Sequence, residues 1–509
     1  MDDSIPTGPS TPSTPVTFRP SRTVGTADPR LFGSFVEHLG RGVYGGLHEP
    51  GDASATPEGF RGDVLDLVRE LGVTVVRYPG GNFVSGYDWR DGVGPVEDRP
   101  RRLDLAWKTV EPNAFGTDEF VAWCRRAGVE PMLALNLGLG GTRGALDLLE
   151  YANYPGGTTL SDARVANGAP EPHDVRLWCL GNEADGPWQL GHRSAAAYAE
   201  QAAVTAAAMR RFDPTLQLVL VGSSHERMPT FGSWEREVLT RTIDLVDYLS
   251  CHIYVYDQGD RARFLRSSDV LDRFLDDVAA TIRHVRAATR SERDIRISLD
   301  EWNVWDYTSY DEIEPHRVFE EAPRILEQEY TLADAVVVGT LLQSILRHAD
   351  VVAIAAMAQL VNVIGPIRAE PGRPAWRQTT FHPFAAVARS AGHTVLDVVA
   401  DARGGAGGPG ADATCVVTVA PDGGHALVHL ANRSTTTAAD VRVDLAALGA
   451  AGVDAAELLW AADPGATNTA DAPDAVAPRT LDTRLDEGVL ALRLPPVSWA
   501  SVRCSTQVR

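Results

Sequence analysis

The sequence predicts an α/β fold, a (β/α)8 TIM barrel followed by a C-terminal antiparallel β-sandwich of jelly-roll-like form. From Leu31 onward, short runs rich in Val, Leu and Ile alternate with longer segments of helical periodicity, which is typical of repeated βα units. After about residue 388, short alternating segments are separated by clusters of Gly, Pro and Asp, which is typical of antiparallel strands. The chain has 509 residues, more than one hydrophobic core usually supports, so we expect two domains.

Eight apolar runs are the candidate strands of the barrel, and their composition suits strands that are buried on both faces. The runs are Leu31–Val36, Val73–Tyr78, Pro131–Leu137, Val175–Leu180, Leu216–Val221, Tyr248–Ile253, Ile295–Leu299 and Val351–Met357. Helical periodicity indicates helices between them at Phe60–Leu71, Thr117–Ala127, Ser194–Phe212, Val270–Thr289 and Leu332–His348. This alternation predicts a parallel sheet covered by helices.

A doubly wound dinucleotide-binding sheet has the same alternation of strands and helices. The best candidate for its glycine-rich turn is Gly138–Gly144, directly after the third run. The last glycine of this segment falls one place late for the G-x-G-x-x-G pattern. We therefore interpret the segment as a loop that follows a strand, and we favour the barrel.

The domain boundaries follow from changes in composition. Residues 1–15 are rich in Pro, Ser and Thr and are predicted to be a disordered leader. We expect residues 16–27 to form an N-terminal strand that joins the β-sandwich, residues 28–387 to form the barrel, and residues 388–509 to form the sandwich. Within the sandwich, Gly404–Gly410 is predicted to be a mobile loop.

Charge and cysteine usage restrict the partners and the compartment. The formal net charge of −21 repels nucleic-acid backbones and anionic membrane surfaces, so neither is an expected partner. No run reaches 18 uninterrupted apolar residues, and the first residues lack the features of a signal peptide. The five cysteines are odd in number and lack a C-x-x-C pair, which favours free thiols in a reducing compartment. We predict a soluble, cytoplasmic protein.

Polar side chains stand at the ends of nearly all the predicted strands. They are Glu37 and His38, Arg77 and Asn82, Asn136, Asn182 and Glu183, Ser223 and His225, His252 and Tyr254, Asp300, Glu301 and Asn303, and Gln359. In a (β/α)8 barrel the loops after the strands surround one mouth, and catalytic groups lie there. The sequence therefore predicts an active site at the carboxyl ends of the strands.

Glu183 and Glu301 follow the fourth and seventh runs and would face each other across this mouth. Hydrolysis of a glycosidic bond uses such a pair, because one carboxyl protonates the leaving oxygen while the other attacks the anomeric carbon. Two carboxyls at close range also push their pKa values apart, which suits one acid and one ionised nucleophile. A salt-bridged structural glutamate is the alternative for either residue alone.

Seven motifs in order resemble glycoside hydrolase family 51, the α-L-arabinofuranosidases, from about Asp28 to the final strand. They are FGSFVEHLGR, VRYPGGNFVSGYDW, LAWKTVEPNAFG, WCLGNEADGPWQ, CHIY, SLDEWNVW and AQLVNVIGPI. The resemblance implies that Glu183 is the general acid/base and Glu301 the nucleophile of a retaining enzyme. It also implies a homo-oligomer, commonly a hexamer, that acts on arabinofuranosyl-containing oligosaccharides.

The same resemblance implies three polar ligands of the sugar. Glu37 is expected to bind sugar hydroxyls, with a core ion pair as the alternative. Asn182 is expected to hydrogen-bond the sugar 2-OH, an interaction that strengthens in the transition state. Asn82 is expected to have a similar role, although a Gly-Gly-Asn turn would attract an asparagine for backbone reasons alone.

The other transferred residues orient or enclose the sugar. Tyr254 is similar to the family tyrosine that orients the nucleophile, and the charge of Arg77 would keep that carboxylate ionised. Trp107 and Trp305 resemble the aromatic walls of the family, and Gln359 resembles its hydrogen-bond donor after the eighth strand. Ordinary core packing is the alternative for each aromatic residue, and a structural ion pair is the alternative for Arg77.

His252 is either a neighbour of the acid/base or a core histidine, and both interpretations stay open at this point. No H-E-x-x-H motif, EF-hand loop or P-loop is present in the sequence, so we predict catalysis without a metal or other cofactor. Two further functions are kept as hypotheses. They are a retaining β-glycosidase or endoglucanase on the same barrel, and a carbohydrate-binding protein that has lost activity.

Overall fold

The computed structural model describes residues 10–11, 16–399 and 412–507. Eight parallel strands close into a barrel, as predicted. The strands are β1 (Gly33–Phe35), β2 (Val75–Tyr78), β3 (Glu130–Ala134), β4 (Leu177–Cys179), β5 (Gln217–Leu220), β6 (Tyr248–Val255), β7 (Arg296–Val304) and β8 (Val352–Ala358). Each of the eight predicted runs overlaps one of these strands, and β8 pairs with β1 to close the barrel.

Helices cover the outside of the barrel and bury their apolar faces against the strands. They are α1 (Gly62–Leu71), α2 (Thr117–Ala127), α3 (Gly141–Asn153), α4 (Thr159–Ala166), α5 (Ala195–Phe212), α6 (Ser233–Thr242), α7 (Arg261–Phe264), α8 (Ser268–Thr289), α9 (Thr308–Ile313), α10 (Leu332–Arg347) and α11 (Phe381–Ala388). In the part of the chain that the structure describes, none of them is long and apolar enough to cross a membrane.

Two strands run further than the sequence predicts. β6 continues to Val255, and β7 continues to Val304 instead of ending at Leu299. The register shifts between Ser250 and His252 in β6 and again between Leu299 and Trp302 in β7. Such bulges insert an extra residue and re-aim the side chains beside it, so the regular alternation on which the predicted ends depended is lost there.

The C-terminal region contains two sheets. The larger consists, in spatial order, of Thr17–Thr26, Thr394–Val399, Ala413–Val419, His425–Asn432, Ser498–Ser505, Gly452–Leu459 and Arg479–Thr480. The smaller consists of Ser10–Thr11, Ala438–Asp444, Val489–Leu494 and Thr483–Asp486. Apolar side chains of both sheets form one core, including Val417, Leu430, Val441 and Leu490. All of these pairings are antiparallel except that of Ser10–Thr11 with Ala438–Ala439.

The predicted domain limits fall at element ends. Thr17–Thr26 pairs with Thr394–Val399 of the larger sheet, and α11 ends at Ala388, one residue beyond the proposed end of the barrel domain. Of the predicted leader at residues 1–15, the structure describes Ser10 and Thr11, and the predicted loop at 404–410 lies outside the described residues.

Helix α10 connects the barrel to the larger sheet. A Cβ atom at Gly339 of this helix would lie 2.3 Å from the ring of Trp499, so only a glycine lets the helix approach the sheet this closely. Gln343, one turn further on, donates a hydrogen bond of 3.0 Å to the backbone oxygen of His429. The sandwich therefore packs rigidly on the outside of the barrel.

Candidate active site

The two predicted catalytic glutamates meet at the carboxyl end of the barrel. Glu183 follows β4 and Glu301 lies within β7, and both side chains are buried. Oxygen atoms of the two carboxyls lie within 4.8 Å of each other. Glu183 has a φ of +40°, which an L-residue with a side chain rarely adopts. The backbone is thus held in an uncommon conformation at the residue whose side chain points at Glu301.

Two donors hold the carboxylate of Glu301. Arg77 Nη1 donates to Oε1 over 2.7 Å, and the hydroxyl of Tyr254 donates to Oε2 over 2.8 Å. Hydrogen bonds of this length to both oxygens fix the direction of the carboxylate. The arrangement suits a group that must be held in line with a reacting atom, as a nucleophile must be.

Glu183 has a different pair of partners. His252 Nδ1 lies 2.9 Å from Oε1, and the indole nitrogen of Trp188 donates to Oε2 over 2.7 Å. The Trp188 side chain remains half exposed and stacks on the ring of His225. The carboxyl of Glu183 therefore lies between a buried imidazole and an indole on the solvent side.

His252 lies between the two carboxyls and a third acid beneath them. Its Nδ1 is 3.6 Å from Glu301 Oε2, and its Nε2 is 3.4 Å from Asp300 Oδ1. Burial alone would lower the pKa of this imidazole, but the charges of Glu301, Asp300 and Glu183 outweigh burial and raise its pKa to about 10. Below that pH His252 is a cation that balances part of the negative charge of the site. Of the two interpretations that the sequence left open, the structure shows the neighbour of Glu183.

Arg77 connects the acids of the site. Its Nη2 donates to the side-chain oxygen of Asn182 over 2.7 Å, and its Nε lies 3.5 Å from Asp300. Burial alone would raise the pKa of Asp300. The charge of Arg77 and the contacts with His252 and Ser250 outweigh burial, so the pKa is lowered from its usual value. Asn182 in turn donates to Asn82 over 3.4 Å, so both predicted asparagines lie within the same hydrogen-bonded group.

Glu37 forms a second part of the site. Its Oε1 accepts hydrogen bonds from the backbone nitrogen of Phe83 over 2.8 Å and from the indole of Trp107 over 2.9 Å, and Gln359 donates to Oε2 over 3.2 Å. Burial and the charge of Glu301 raise the pKa of Glu37 to about 8, against the opposing effect of the two N–H donors. No arginine or lysine pairs with Glu37 among the described residues, so the structure does not show the core ion pair that was the alternative for it.

The glycines of the PGGN turn make room for Glu37. A Cβ atom at Gly80 or at Gly81 would lie 2.9 or 2.8 Å from the Glu37 side chain. The turn is therefore restricted to glycine by close approach, and it brings the Phe83 backbone nitrogen to the carboxyl. Asn82 is half-buried beside it.

Trp305 lies beside Tyr254, the residue that donates to Glu301. Its ring packs edge-on against Tyr254 with the ring centres 5.0 Å apart. Its buried indole nitrogen donates to no group within the described residues. Trp305 thus packs against the tyrosine that holds Glu301, whereas Trp107 donates to Glu37 directly.

Three contacts in the site were not predicted from the sequence. They are made by Trp188 with Glu183, by the backbone nitrogen of Phe83 with Glu37, and by Ser250, which is joined to Asp300 by a hydrogen bond of 2.5 Å. Trp188 lies in the WCLGNEADGPWQ motif, so the motif contained the signal. Its position five residues after Glu183 does not indicate where the indole points.

Glu183, His252 and Glu301 are close enough to hold a metal ion. Two carboxyls on either side of one imidazole also suit proton transfer. A parallel barrel with this carboxyl pair in its mouth defines the protein as a glycoside hydrolase.

Comparisons with known proteins identify the family. Residues 67–274 match the profile described as alpha-L-arabinofuranosidase 1 domain, and residues 300–498 match the alpha-L-arabinofuranosidase C-terminal domain. The chain is 51% identical to an intracellular exo-α-(1→5)-L-arabinofuranosidase of Streptomyces lividans, across 96% of this chain and 75% of that protein. It is 47% identical to an exo-α-(1→6)-L-arabinofuranosidase of Bifidobacterium longum, across 94% and 95% of the two chains.

The fold comparison agrees. A solved family 51 α-L-arabinofuranosidase from Bifidobacterium longum superposes with a TM-score of 0.92 at 45% identity, and the match covers 97% of this chain and 100% of that one. The chain therefore belongs to glycoside hydrolase family 51, the α-L-arabinofuranosidases. The family and the barrel with its C-terminal antiparallel sheets, both predicted from the sequence, are confirmed.

Proposed function

We propose that this protein is an exo-acting, retaining α-L-arabinofuranosidase that releases terminal arabinofuranosyl residues by double displacement. The observation that carries the proposal is the pair of carboxyls, Glu183 and Glu301, whose oxygens approach within 4.8 Å. In retaining glycosidases the carboxyls are roughly 5–5.5 Å apart, which leaves no room for a water molecule to attack directly.

In the first step, Glu301 attacks the anomeric carbon while Glu183 gives its proton to the leaving oxygen. The glycosidic bond breaks, and a bond between the anomeric carbon and Glu301 replaces it. The hydrogen bonds from Arg77 and Tyr254 direct the carboxylate and prevent it from taking the proton itself. The hydroxyl of the shortened oligosaccharide or aglycone then leaves with the proton of Glu183.

In the second step, Glu183 removes a proton from water, the water oxygen attacks the anomeric carbon, and the bond between that carbon and Glu301 breaks. Arabinose leaves with retained configuration, and both carboxyls return to their starting state. His252, 2.9 Å from Glu183, is a cation close to the carboxylate that forms when Glu183 gives up its proton. Glu37, Asn182, Asn82, Trp107, Trp305 and Gln359 are proposed to bind or enclose the sugar.

The anomeric configuration of the first product tests this proposal. Hydrolysis of an aryl α-L-arabinofuranoside is followed by proton NMR before the free sugar mutarotates. We expect the α-anomer first. Initial formation of the β-anomer would contradict double displacement, and hydrolysis of aryl β-D-xyloside or β-glucan in place of the arabinofuranoside would favour the β-glycosidase or endoglucanase alternative.

The intracellular naming of the Streptomyces relative and the cysteine usage support a cytoplasmic enzyme. Its substrates would then be short imported oligosaccharides, because intact polymers do not enter the cytoplasm. We also propose a homo-oligomer, a hexamer by resemblance to the family. Light scattering that gave a mass near 54.8 kDa would refute the oligomer.

A further inference from the structure

Lys108 is the single lysine of the chain, and the other 46 basic residues are arginine. Among the lysine and arginine residues, the chain therefore has an ammonium group at one position only, directly after Trp107. Lysine and arginine differ physically, because the ammonium is a compact point charge with three donors and the guanidinium is a planar fork. The contacts of Lys108 show what the compact group does.

Lys108 lies in a hairpin beside the sugar site. Arg102–Asp104 pairs with Thr109–Glu111, and the carboxylate of Asp104 accepts a hydrogen bond from the backbone nitrogen of Trp107 over 2.8 Å, which closes the turn. Lys108 has a φ of +49°, an uncommon conformation for a residue with a side chain. Because of this conformation, the consecutive side chains of Trp107 and Lys108 at the hairpin tip can contact different partners.

Trp107 extends from this tip toward the site. Its indole nitrogen donates to Glu37 over 2.9 Å, and its ring packs edge-on against Tyr310 with the ring centres 6.0 Å apart. Tyr310 belongs to α9, in the loop of residues 306–325 that follows β7. Trp107 is therefore held between the Glu37 carboxyl on the barrel and a tyrosine on a separate loop.

Lys108 extends to that same loop. Its Nζ donates to the backbone oxygen of Glu314 over 3.0 Å and lies 2.9 Å from the carboxylate of Glu314. The ammonium directs two of its protons at two oxygens of one residue, and the larger planar fork of an arginine would have to approach these oxygens from a different position and direction. The side chain is about one-third exposed, so reagents in solution can reach it.

Three further contacts join the loop to the hairpin. Val110 donates its backbone N–H to the oxygen of Glu320 over 2.9 Å, Arg317 donates to the backbone oxygen of Lys108 over 3.5 Å, and Arg101 pairs with Glu321 over 2.7 Å. The Arg101 pair is solvent-exposed and belongs to the same junction. It therefore provides a matched control for the Lys108 pair.

We propose that Lys108 is a positioning residue for sugar binding. It fastens the loop after β7 to the hairpin, so that Tyr310 presses Trp107 against Glu37. This inference rests on the proposed function, in which Trp107 and Glu37 contact the sugar. Because the wall formed by these residues contacts the sugar before and during the reaction, Lys108 affects substrate binding more than the chemical step.

The experiment compares the steady-state kinetics of Lys108→Met and Arg101→Met with those of the unmodified enzyme on an aryl α-L-arabinofuranoside. We expect Lys108→Met to raise KM about tenfold, with kcat within about twofold. Arg101→Met should leave both constants within about twofold, because exposed ion pairs contribute little. An unchanged KM in Lys108→Met would overturn the proposal, and so would an equal rise in both variants or a loss confined to kcat.

Two additional variants separate positioning from general loop stability. Lys108→Arg should recover KM only in part, since the charge returns without the compact geometry, and a full recovery would contradict the requirement for an ammonium. Glu314→Gln should raise KM by less than Lys108→Met, and the double variant should match Lys108→Met, because both changes remove one contact. Additive effects would contradict the Lys108–Glu314 contact.

The single lysine also permits a chemical test on the unmodified chain. Acetylation removes the charge of the ε-amine and should reproduce the KM of Lys108→Met, while the same treatment of Lys108→Met controls for reaction at the α-amine. If acetylation leaves KM unchanged in both proteins, the proposal fails. The failure of the proposed function looks different, because the unmodified enzyme would then not hydrolyse the arabinofuranoside at all.

Discussion

Two buried histidines, His252 in the barrel mouth and His429 in the larger C-terminal sheet, have pKa values that are shifted in opposite directions. The pKa of His252 is raised to about 10 although burial opposes it, because Glu301, Asp300 and Glu183 surround it. The pKa of His429 is lowered to about 3 by burial, with Arg389 and His393 adding to the effect. His429 contacts the uncharged hydroxyls of Ser390 and Ser501. Burial is similar in the two places, so the difference lies in the neighbouring charges.

The comparison distinguishes a buried site from a buried core. Around His429, the hydrogen-bonding partners Ser390 and Ser501 are neutral hydroxyls, and neutral hydrogen-bonded partners are usual for a polar group in a folded interior. At the mouth, several ionised groups share a confined space, which costs stability unless every charge is paired. Perturbed ionisable groups of this kind are typical of catalytic sites.

The largest effect is expected from removing the central cation of the mouth. Arg77→Met would remove one of the two buried cations beside Asp300 and Glu301, and breaking a buried pair in this way costs about 3–5 kcal/mol of unfolding free energy. We also expect kcat/KM to fall by about 10³-fold or more, because the carboxylate loses a direct donor. Chemical denaturation and steady-state kinetics measure the two effects.

Arg164→Met is the matched control for that substitution. Arg164 is equally buried but donates only to backbone oxygens, including that of Tyr154 over 2.6 Å. Its loss should lower the stability and leave kcat/KM per folded molecule within about twofold. If the two arginine variants lost activity to the same extent, Arg77 would have only a structural role.

A smaller effect is expected at His252. Its folded-state pKa is raised from 6.5 to about 10, so its stabilising contribution is complete below about pH 6.5 and is lost as the pH rises through about 10. The difference in unfolding free energy between the unmodified enzyme and His252→Gln should shrink across that range. We also expect kcat to fall about 10²-fold, since Glu183 loses its buried partner. A pH-independent stability difference would contradict the cationic imidazole.

The smallest effect on activity is expected at His429, where the pH dependence of the stability has the opposite sign. Its folded-state pKa is lowered from 6.5 to about 3, so the unfolded chain binds a proton that the folded chain does not as the pH falls through this range. As the pH falls from 6.5 to 3, the unmodified enzyme should therefore lose unfolding free energy relative to His429→Gln. The kinetic constants of His429→Gln should equal those of the unmodified enzyme. A change in its KM would contradict the distinction between His429 in a structural core and His252 in the site.

The barrel could be predicted closely because its strands are apolar on both faces and regularly spaced. β8, for example, differs from its predicted run by one residue at each end. The exception is β7, where the register shift between Leu299 and Trp302 lets Asp300 and Glu301 both face the interior. Regular alternation places neighbouring residues on opposite faces, so the role of Asp300 beneath His252 does not follow from the sequence.

The motifs indicated the two glutamates, and the structure brings them together with Arg77 and Tyr254. Contacts made by loops could not be predicted in the same way. The indole of Trp188 contacts Glu183 because the chain turns back after Glu183. In this turn, a Cβ atom at Gly186 would lie 2.5 Å from the Trp188 ring. The direction of that indole depends on the path of the loop, which neither periodicity nor spacing specifies.

The central claim, that Glu301 is the nucleophile and Glu183 the acid/base, is tested most directly by azide rescue of the two alanine variants. In Glu183→Ala, a dinitrophenyl arabinofuranoside should still form the covalent intermediate, because its leaving group needs little protonation. Azide needs no general base, so it should restore turnover and give the α-arabinofuranosyl azide of retained configuration. In Glu301→Ala, any azide product should be inverted. If azide gave no retained product with Glu183→Ala, the assignment of the two carboxyls would be contradicted.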